Sequence, residues 1–419
     1  MDVSAHRAFA LLKDLAYERV SCSDAEKAAA QRLLAEAKSA GVEAHIEEFP
    51  VACGRVKHAK LVVTAPYTKE YEVTGYERAD ATAGMDVPFY YAEGVLPVHL
   101  EQVKGKAVLI NGRLRKNDYE KLKKAGAAAI LTFSGTTIDK LSETDCDIRK
   151  MREVMTEEVS SIVALNMRAA DAAEMVRRGA AHVHIELDGE CYEGTSQNVC
   201  AVIEGREKPE EIISFGAHYD SVYFSTGVYD NMSGSVIIME LLKYFAEHKP
   251  ARTLKFNWYG SEEQGLLGSK AWTAAHADEL DKHVLMINVD VAAATLGQNA
   301  APVLATEAAV GYVDALMREM GVACNVKLDI YSSDCIPFAD KGVPAINLCR
   351  FGAPGANYIP DRRDNLKCKY IDEKSLDITL QQALGLAKRV VGAKSFPIKK
   401  EICTEIKDKV DEYLFKKKK

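Results

Sequence analysis

The sequence predicts an α/β fold: a mixed, mostly parallel sheet sandwiched by helices, with a smaller domain inserted into it. Three observations predict it. From Asn198 onward, short apolar runs alternate with segments of helical periodicity, the pattern of a parallel sheet flanked by helices. Between about Tyr76 and Leu187 a second alternation of strand-like and helix-like segments runs on its own. His218, Glu262, Glu263 and Asp290 all stand just at or beyond expected strand ends, where ligands bind in open parallel sheets. The chain therefore divides into residues 1–75 (first part of the main domain), 76–187 (the insert), 188–395 (the rest of the main domain) and 396–419 (a C-terminal tail).

The elements follow in order. Residues 4–40 place Phe9, Leu11, Leu12 and Leu15, then Ala29, Ala30, Leu33, Leu34 and Ala37, at helical spacing. The break at Ser21–Asp24 caps a second helix, with Ser23 three residues before Glu26 as in a capping box. Gly41 stands where a helix C-cap belongs. Val42–Val51 and Ala59–Thr64 read as two strands. In the insert, residues 105–111, Ala127–Phe133 and Ser160–Leu165 are strands, and Asp118–Gly126 and Ala169–Arg178 are helices. In the main domain Val199–Ile203, Ile212–Ala217, Leu254–Tyr259, Val284–Val289 and Ala345–Leu348 are strands. Ser233–Phe245, Leu267–Ala275, Ala308–Met320 and Leu376–Val391 are the helices between and after them.

Composition narrows the class. At 419 residues with 47% hydrophobic and 27% charged residues, the chain has ordinary globular composition and can bury a large core. A net charge of -7 argues against nucleic-acid binding. Only Lys416–Lys419 is strongly basic, and it reads as a solvated end. No apolar run approaches the ~20 residues of a membrane span, and no signal-peptide pattern opens the chain. The ten cysteines are scattered without a Cys-x-x-Cys pair, as expected of reduced, mostly buried thiols, so cytoplasm is the expected compartment.

The chemistry resides in four short phrases. His218 ends an apolar strand and stands two residues before Asp220, which can accept the second imidazole N–H and fix the tautomer. Asp230-Asn231 opens a loop-to-helix junction; it suits an N-cap, and after a histidine it also suits a bridging metal ligand. Glu262-Glu263 lies between glycines, Gly260 and Gly265, which favours tight packing over an exposed loop. Adjacent carboxylates point in different directions, so Glu263 is the expected ligand and Glu262 the expected general base for a metal-bound water. Asp290 closes the strand Val284–Val289. One imidazole with several carboxylates is a donor set for one or two divalent cations, zinc first, with manganese or cobalt as alternatives.

In this order, His218-x-Asp220, Asp230-Asn231, Glu262-Glu263 and Asn288-x-Asp290 resemble the co-catalytic zinc aminopeptidases of the bacterial leucyl aminopeptidase and aminopeptidase Y type. The run from Glu262 to Ser269 and the gap from Glu263 to Asp290 are similar to that family. Residues 105–110 and 124–130 resemble its protease-associated insert domain. The resemblance implies a zinc-exopeptidase-like fold and hydrolysis of N-terminal residues from peptides with a free α-amine, with no nucleic-acid or membrane partner and scope for a homo-oligomer. It implies one cation on His218, Asp230 and Asp290, a second on Asp230, Glu263 and a late histidine, and a cis peptide at Asp230-Asn231. It places Ser333–Gly342 and Arg350–Gly355 on the walls of the cleft, with Arg350 and Tyr358 as candidate substrate contacts.

The chain departs from the family at one place. The family phrase Ile-His-Thr-x-x-Asp reads here Ile359-Pro360-Asp361-Arg362-Arg363-Asp364, and no histidine follows His283. Three outcomes stay open: Asp361 substitutes for the imidazole, the second position is held by Asp230 and Glu263 with water, or the site has decayed to a binding scaffold. A carboxypeptidase or aminoacyl cyclase on the same scaffold is the alternative within enzymes.

Overall fold

A computed structural model describes residues 2–140, 144, 146–157, 159–354 and 362–416, the side chain of Cys368 excepted. The chain forms two compact units, Met1–Phe49 with Thr195–Lys419, and Pro50–Gly194. The limits expected for the insert, 76–187, fall inside the second unit. The chain passes between units within two long strands, Glu43–Ala65 and His182–Ile203. The first of these joins Val42–Val51 and Ala59–Thr64, expected as separate strands.

In the first unit the strands run in the order Asn325–Leu328, Gly297–Leu304, Ala345–Gly352, His283–Val289, Lys208–His218, Arg252–Tyr259 and the last residues of His182–Ile203, the strand with which Glu43–Ala65 also pairs. The four strands at the centre are mutually parallel. The flanking strands Gly297–Leu304 and Val199–Ile203 pair antiparallel to them. This is the mixed, mostly parallel sheet the sequence predicts. Its central strands are buried on both faces, which is why Ile212–Ala217 and Leu285–Val289 read as apolar runs without alternation. Helices Ala5–Asp14, Asp24–Ser39, Ser233–Glu247, Glu307–Glu319 and Glu373–Gly392 contribute Leu12, Leu33, Ile237, Val313 and Leu380 to one apolar cluster with these strands.

The strands Gly297–Leu304 and Asn325–Leu328 were not foreseen; their partly polar, short runs carry little period-2 signal. The expected tail contains a helix, Thr404–Tyr413, which buries Ile406 and Val410 in a cluster with Phe338 and Trp272. Lys416 pairs with Asp340, and Lys417–Lys419 lie outside the described residues. The capping box is half right. Ser23 Oγ accepts the N–H of Glu26, but the Glu26 carboxylate takes the N–H of Cys22 and turns inward to Ser196 and Ser261. Two buried partners outcompete the local one.

The second unit has its own sheet. Strands Thr82–Glu93, Ala107–Ile110, Ala129–Ser134 and Val163–Arg168 are parallel in that order, and Val73–Glu77 runs antiparallel to the last. Helices Lys116–Lys124 and Ala169–Arg177 cover it through Tyr119 and Leu122, and through Ala172 and Met175. The strand Thr82–Glu93, absent from the sequence expectation, carries a β-bulge and mixes polar with apolar positions.

Candidate metal centre

Every motif residue of the first unit that lies among the described residues is carried by a strand end or the loop beyond it. His218 ends Lys208–His218, Glu262 and Glu263 follow Arg252–Tyr259, and Asp290 follows His283–Val289. Because these three strands are neighbours in parallel register, their carboxyl ends open side by side. Asp230 arrives from the junction before helix Ser233–Glu247, and its peptide to Asn231 is cis.

The loop carrying Asp230 is drawn to the strand carrying Asp290. Asn231 donates Nδ2 to Val289 O (2.9 Å), and its Oδ1 accepts the N–H groups of Gly234 (3.0 Å) and Val291 (3.2 Å). Gly234 permits this approach: a Cβ there would stand 2.1 Å from Val289 O. Asp364 anchors the other side, its two oxygens accepting the N–H of Tyr229 (2.8 Å) and of Asp230 (3.0 Å).

The result is a convergence of donors. One ligand atom each from His218, Asp230 and Asp290 lies within 4.8 Å of the others, and all three residues are buried. His218 Nε2 is 3.0 Å from Asp230 Oδ1, 3.6 Å from Asp290 Oδ1 and 3.9 Å from Glu262 Oε2. Asp220 stands behind them. Its Oδ1 lies 3.3 Å from His218 Nδ1 and accepts the N–H of Glu262 (3.0 Å), while Oδ2 accepts the N–H of Glu263 (3.2 Å). One carboxylate therefore positions both the imidazole and the Glu262–Glu263 loop, the usual office of an outer partner at a metal site.

The electrostatics call for a cation. Burial acts to lower the His218 pKa, yet the carboxylates of Glu262, Asp220, Asp230 and Asp290 outweigh it and hold it well above the ordinary imidazole value. Burial pushes Glu262 well above the carboxylate range, with Glu263, Asp334 and Asp290 adding repulsion against the pull of His218. Asp290 is raised chiefly by burial, and its Oδ1 has no hydrogen-bond partner among the described residues. A buried carboxylate oxygen without a donor is costly unless a proton or a cation meets it. The donor set, imidazole nitrogen with carboxylate oxygens, is one that zinc accepts.

The other expected site residues divide. Glu263 is held in the loop through its N–H. Asp361 and Tyr358, with Pro360, lie outside the described residues. Arg350 donates Nε to Ala294 O (2.8 Å) and Nη1 to Asn299 Oδ1 (2.9 Å), so these donors brace neighbouring backbone and strand.

Two further buried aspartates have no individual role in the sequence reading, although Asp334 falls in its Ser333–Gly342 segment. Burial raises the pKa of Asp364 to about 7 against the three donors that favour its carboxylate. Asp334 is fully buried, and burial lifts its pKa to about 7. The available signal was an aspartate flanked by small and apolar residues, Ser333 and Cys335-Ile336.

Comparison with known proteins gives a profile match, two partial relatives and a likeness of fold. Residues 198–387 match the profile of Peptidase family M28. The chain is 38% identical over 90 residues to a vacuolar membrane protease of Saccharomyces cerevisiae, covering 22% of this chain and 9% of that protein. It is 33% identical over 102 residues to an aminopeptidase of Pseudomonas aeruginosa, covering 24% of this chain and 19% of that protein. The chain thus matches less than a fifth of the length of these relatives. In structure it resembles a zinc aminopeptidase from Bacillus subtilis, with a TM-score of 0.76 at 19% identity over 96% of this chain and 99% of that one. That likeness shows the fold.

Proposed function

We propose that this chain, whose residues 198–387 match the profile of Peptidase family M28, is a metal-dependent aminopeptidase that removes N-terminal residues from peptides bearing a free α-amine. The observation that carries the reading is the meeting of His218, Asp230 and Asp290 donor atoms within 4.8 Å, with the Glu262 carboxylate beside them. These residues would hold a divalent cation, zinc by donor chemistry, which when bound supplies Lewis acidity toward a carbonyl oxygen and toward water.

The chain's own groups do the rest. Glu262 takes the proton of the attacking water and returns it to the leaving amine. Its raised proton affinity, set first by burial, suits a group that must hold a proton between the two transfers. Asp220 keeps Glu262 in place through its backbone N–H and orients the imidazole. Asp364 keeps Asp230 in place by the same device.

The second cation position of this reading is altered. It rests on Asp230 and Glu263, with Pro360 where the family phrase that the chain resembles has histidine and Asp361 as the substitute oxygen ligand. The unit Pro50–Gly194 serves as the protease-associated-type domain. Among the described residues no helix is long and apolar enough to cross a membrane. A cytoplasmic placement belongs to this reading.

The test is Glu262→Gln. Turnover of a free-amine dipeptide is expected to fall by at least about 100-fold, the scale of general-base catalysis, while zinc content stays at the wild-type level. Undiminished turnover would remove the assigned base. Equal cleavage of N-acetylated and free peptides would remove the aminopeptidase assignment.

A further inference from the structure

A second cluster of donors stands at the edge of the first unit, made of residues the proposed reaction does not use. His45 and Glu47 project from the same face of strand Glu43–Ala65, two residues apart. Cys200, on the adjoining strand His182–Ile203, brings a buried thiol to the same point. One ligand atom from each of His45, Glu47 and Cys200 lies within 4.8 Å of the other two. His45 Nε2 is 3.0 Å from Glu47 Oε1.

The surroundings hold this group in place. His276, at the end of helix Leu267–Ala275, sets Nε2 2.9 and 3.0 Å from the two Glu47 oxygens and Nδ1 3.2 Å from Glu279 Oε1. Trp272 stacks on the His276 ring at 4.4 Å between centroids and fixes its plane. Glu279 is in turn paired with Lys255. A first carboxylate oriented by a histidine, itself oriented by a second carboxylate, is the layered support found around metal ligands.

We propose that His45, Glu47 and Cys200 form a binding site for a thiophilic divalent cation of the zinc class, separate from the His218 centre. Imidazole nitrogen, carboxylate oxygen and thiolate sulfur together select zinc or cobalt over magnesium or calcium. Binding breaks the Cys200 S–H bond, releases that proton to solvent and forms a sulfur–metal bond. A neutral imidazole with two anionic ligands then balances the charge of the cation. The half-exposed side chain of His45 leaves a fourth position to water. The site clamps the start of strand Glu43–Ala65 to the adjoining strand His182–Ile203 and to helix Leu267–Ala275.

Cobalt substitution reads this site apart from the catalytic one, because no thiol lies among the His218, Asp230 and Asp290 donors. The reduced, full-length protein is titrated with Co2+ alone. A near-ultraviolet thiolate-to-cobalt charge-transfer band is expected, together with one bound equivalent that is lost in Cys200→Ser. Because Cys200 is buried, the exposed His45→Ala variant provides the second arm: a native circular-dichroism spectrum with the band lost or its titration midpoint shifted at least about tenfold. Absence of the band in the wild-type protein would overturn the proposal, as would a band that survives Cys200→Ser or is unchanged in His45→Ala.

Discussion

The acidic groups beside His218 in the first unit and the most depressed carboxylates of the second unit are placed by opposite rules. In the first unit Glu262, Asp290, Asp334 and Asp364 are withdrawn from water, and burial raises all four above the carboxylate range. In the second unit Glu174 and Glu186 sit at the surface among cations. Lys69 and Arg178 hold Glu174 down to about 2, and His58, Lys60 and His184 do the same for Glu186. Paired surface carboxylates make a scaffold that is complete in itself. Crowded buried carboxylates make one that is finished only by a proton or a cation. The contrast locates where this molecule has given up self-sufficiency for chemistry.

The sharpest way to break the contrast is Asp290→Asn. In the cation-free protein this change removes a buried like charge, so the melting temperature is expected to hold or rise. With zinc present the same variant is expected to lose the stabilisation that the wild-type protein gains, about 2.7 kcal/mol at a cation concentration 100-fold over Kd. Calorimetry with and without zinc measures both, and a lower melting temperature in the cation-free variant would argue that Asp290 is a structural group.

Asp220→Ala comes next. It strips the acceptor from the N–H groups of Glu262 and Glu263 and the neighbour from His218 Nδ1. Metal affinity is expected to drop about 10- to 100-fold, the range for outer partners of metal ligands, as read by competition with a chelating dye. Asp364→Ala should act on the same measurement through Asp230, and also leaves buried N–H groups unsatisfied at about 1–3 kcal/mol each.

The second unit should respond to acid instead. Its Glu174 and Glu186 are depressed in the folded state, so their contribution is present above the ordinary carboxylate pKa. It is lost as pH falls from there toward about 2. Because both groups are at the surface, added salt should shrink this dependence. Acid titration followed by hydrogen exchange in residues 50–194 tests it, and a salt-independent profile would contradict the assignment. The smallest effect expected is that of Lys69→Ala, which leaves Glu174 with Arg178 and should cost below about 1 kcal/mol in urea unfolding.

Much of this was legible in the chain. Largely apolar runs such as Ile212–Ala217, interrupted only by the buried Ser214 and by Gly216, announced central parallel strands, because a strand covered on both faces has no solvent-facing side. The phrases around His218, Asp230, Glu262 and Asp290 were legible because each needs a particular residue type at a strand end. Other features stayed hidden for equally physical reasons. The edge strand Asn325–Leu328 is short and half exposed, and the helix Thr404–Tyr413 buries few residues, so neither imposes a strong pattern. Asp334 and Asp364 look like ordinary acids until their burial is known. The Glu26 side chain obeyed a local rule on paper and a tertiary one in the fold.

By itself, then, the sequence determined which residue types were available, in which order, and at which ends of which strands, since hydrophobic periodicity and donor chemistry are properties of the chain. Only the tertiary structure decided that His218, Asp230 and Asp290 share one space, that Asp220 and Asp364 hold them there, and that His45, Glu47 and Cys200 meet at a second point. Distance between residues remote in sequence is set by strand register and by close approaches such as Gly234 against Val289. No local pattern encodes it, because it arises from the packing of the whole unit.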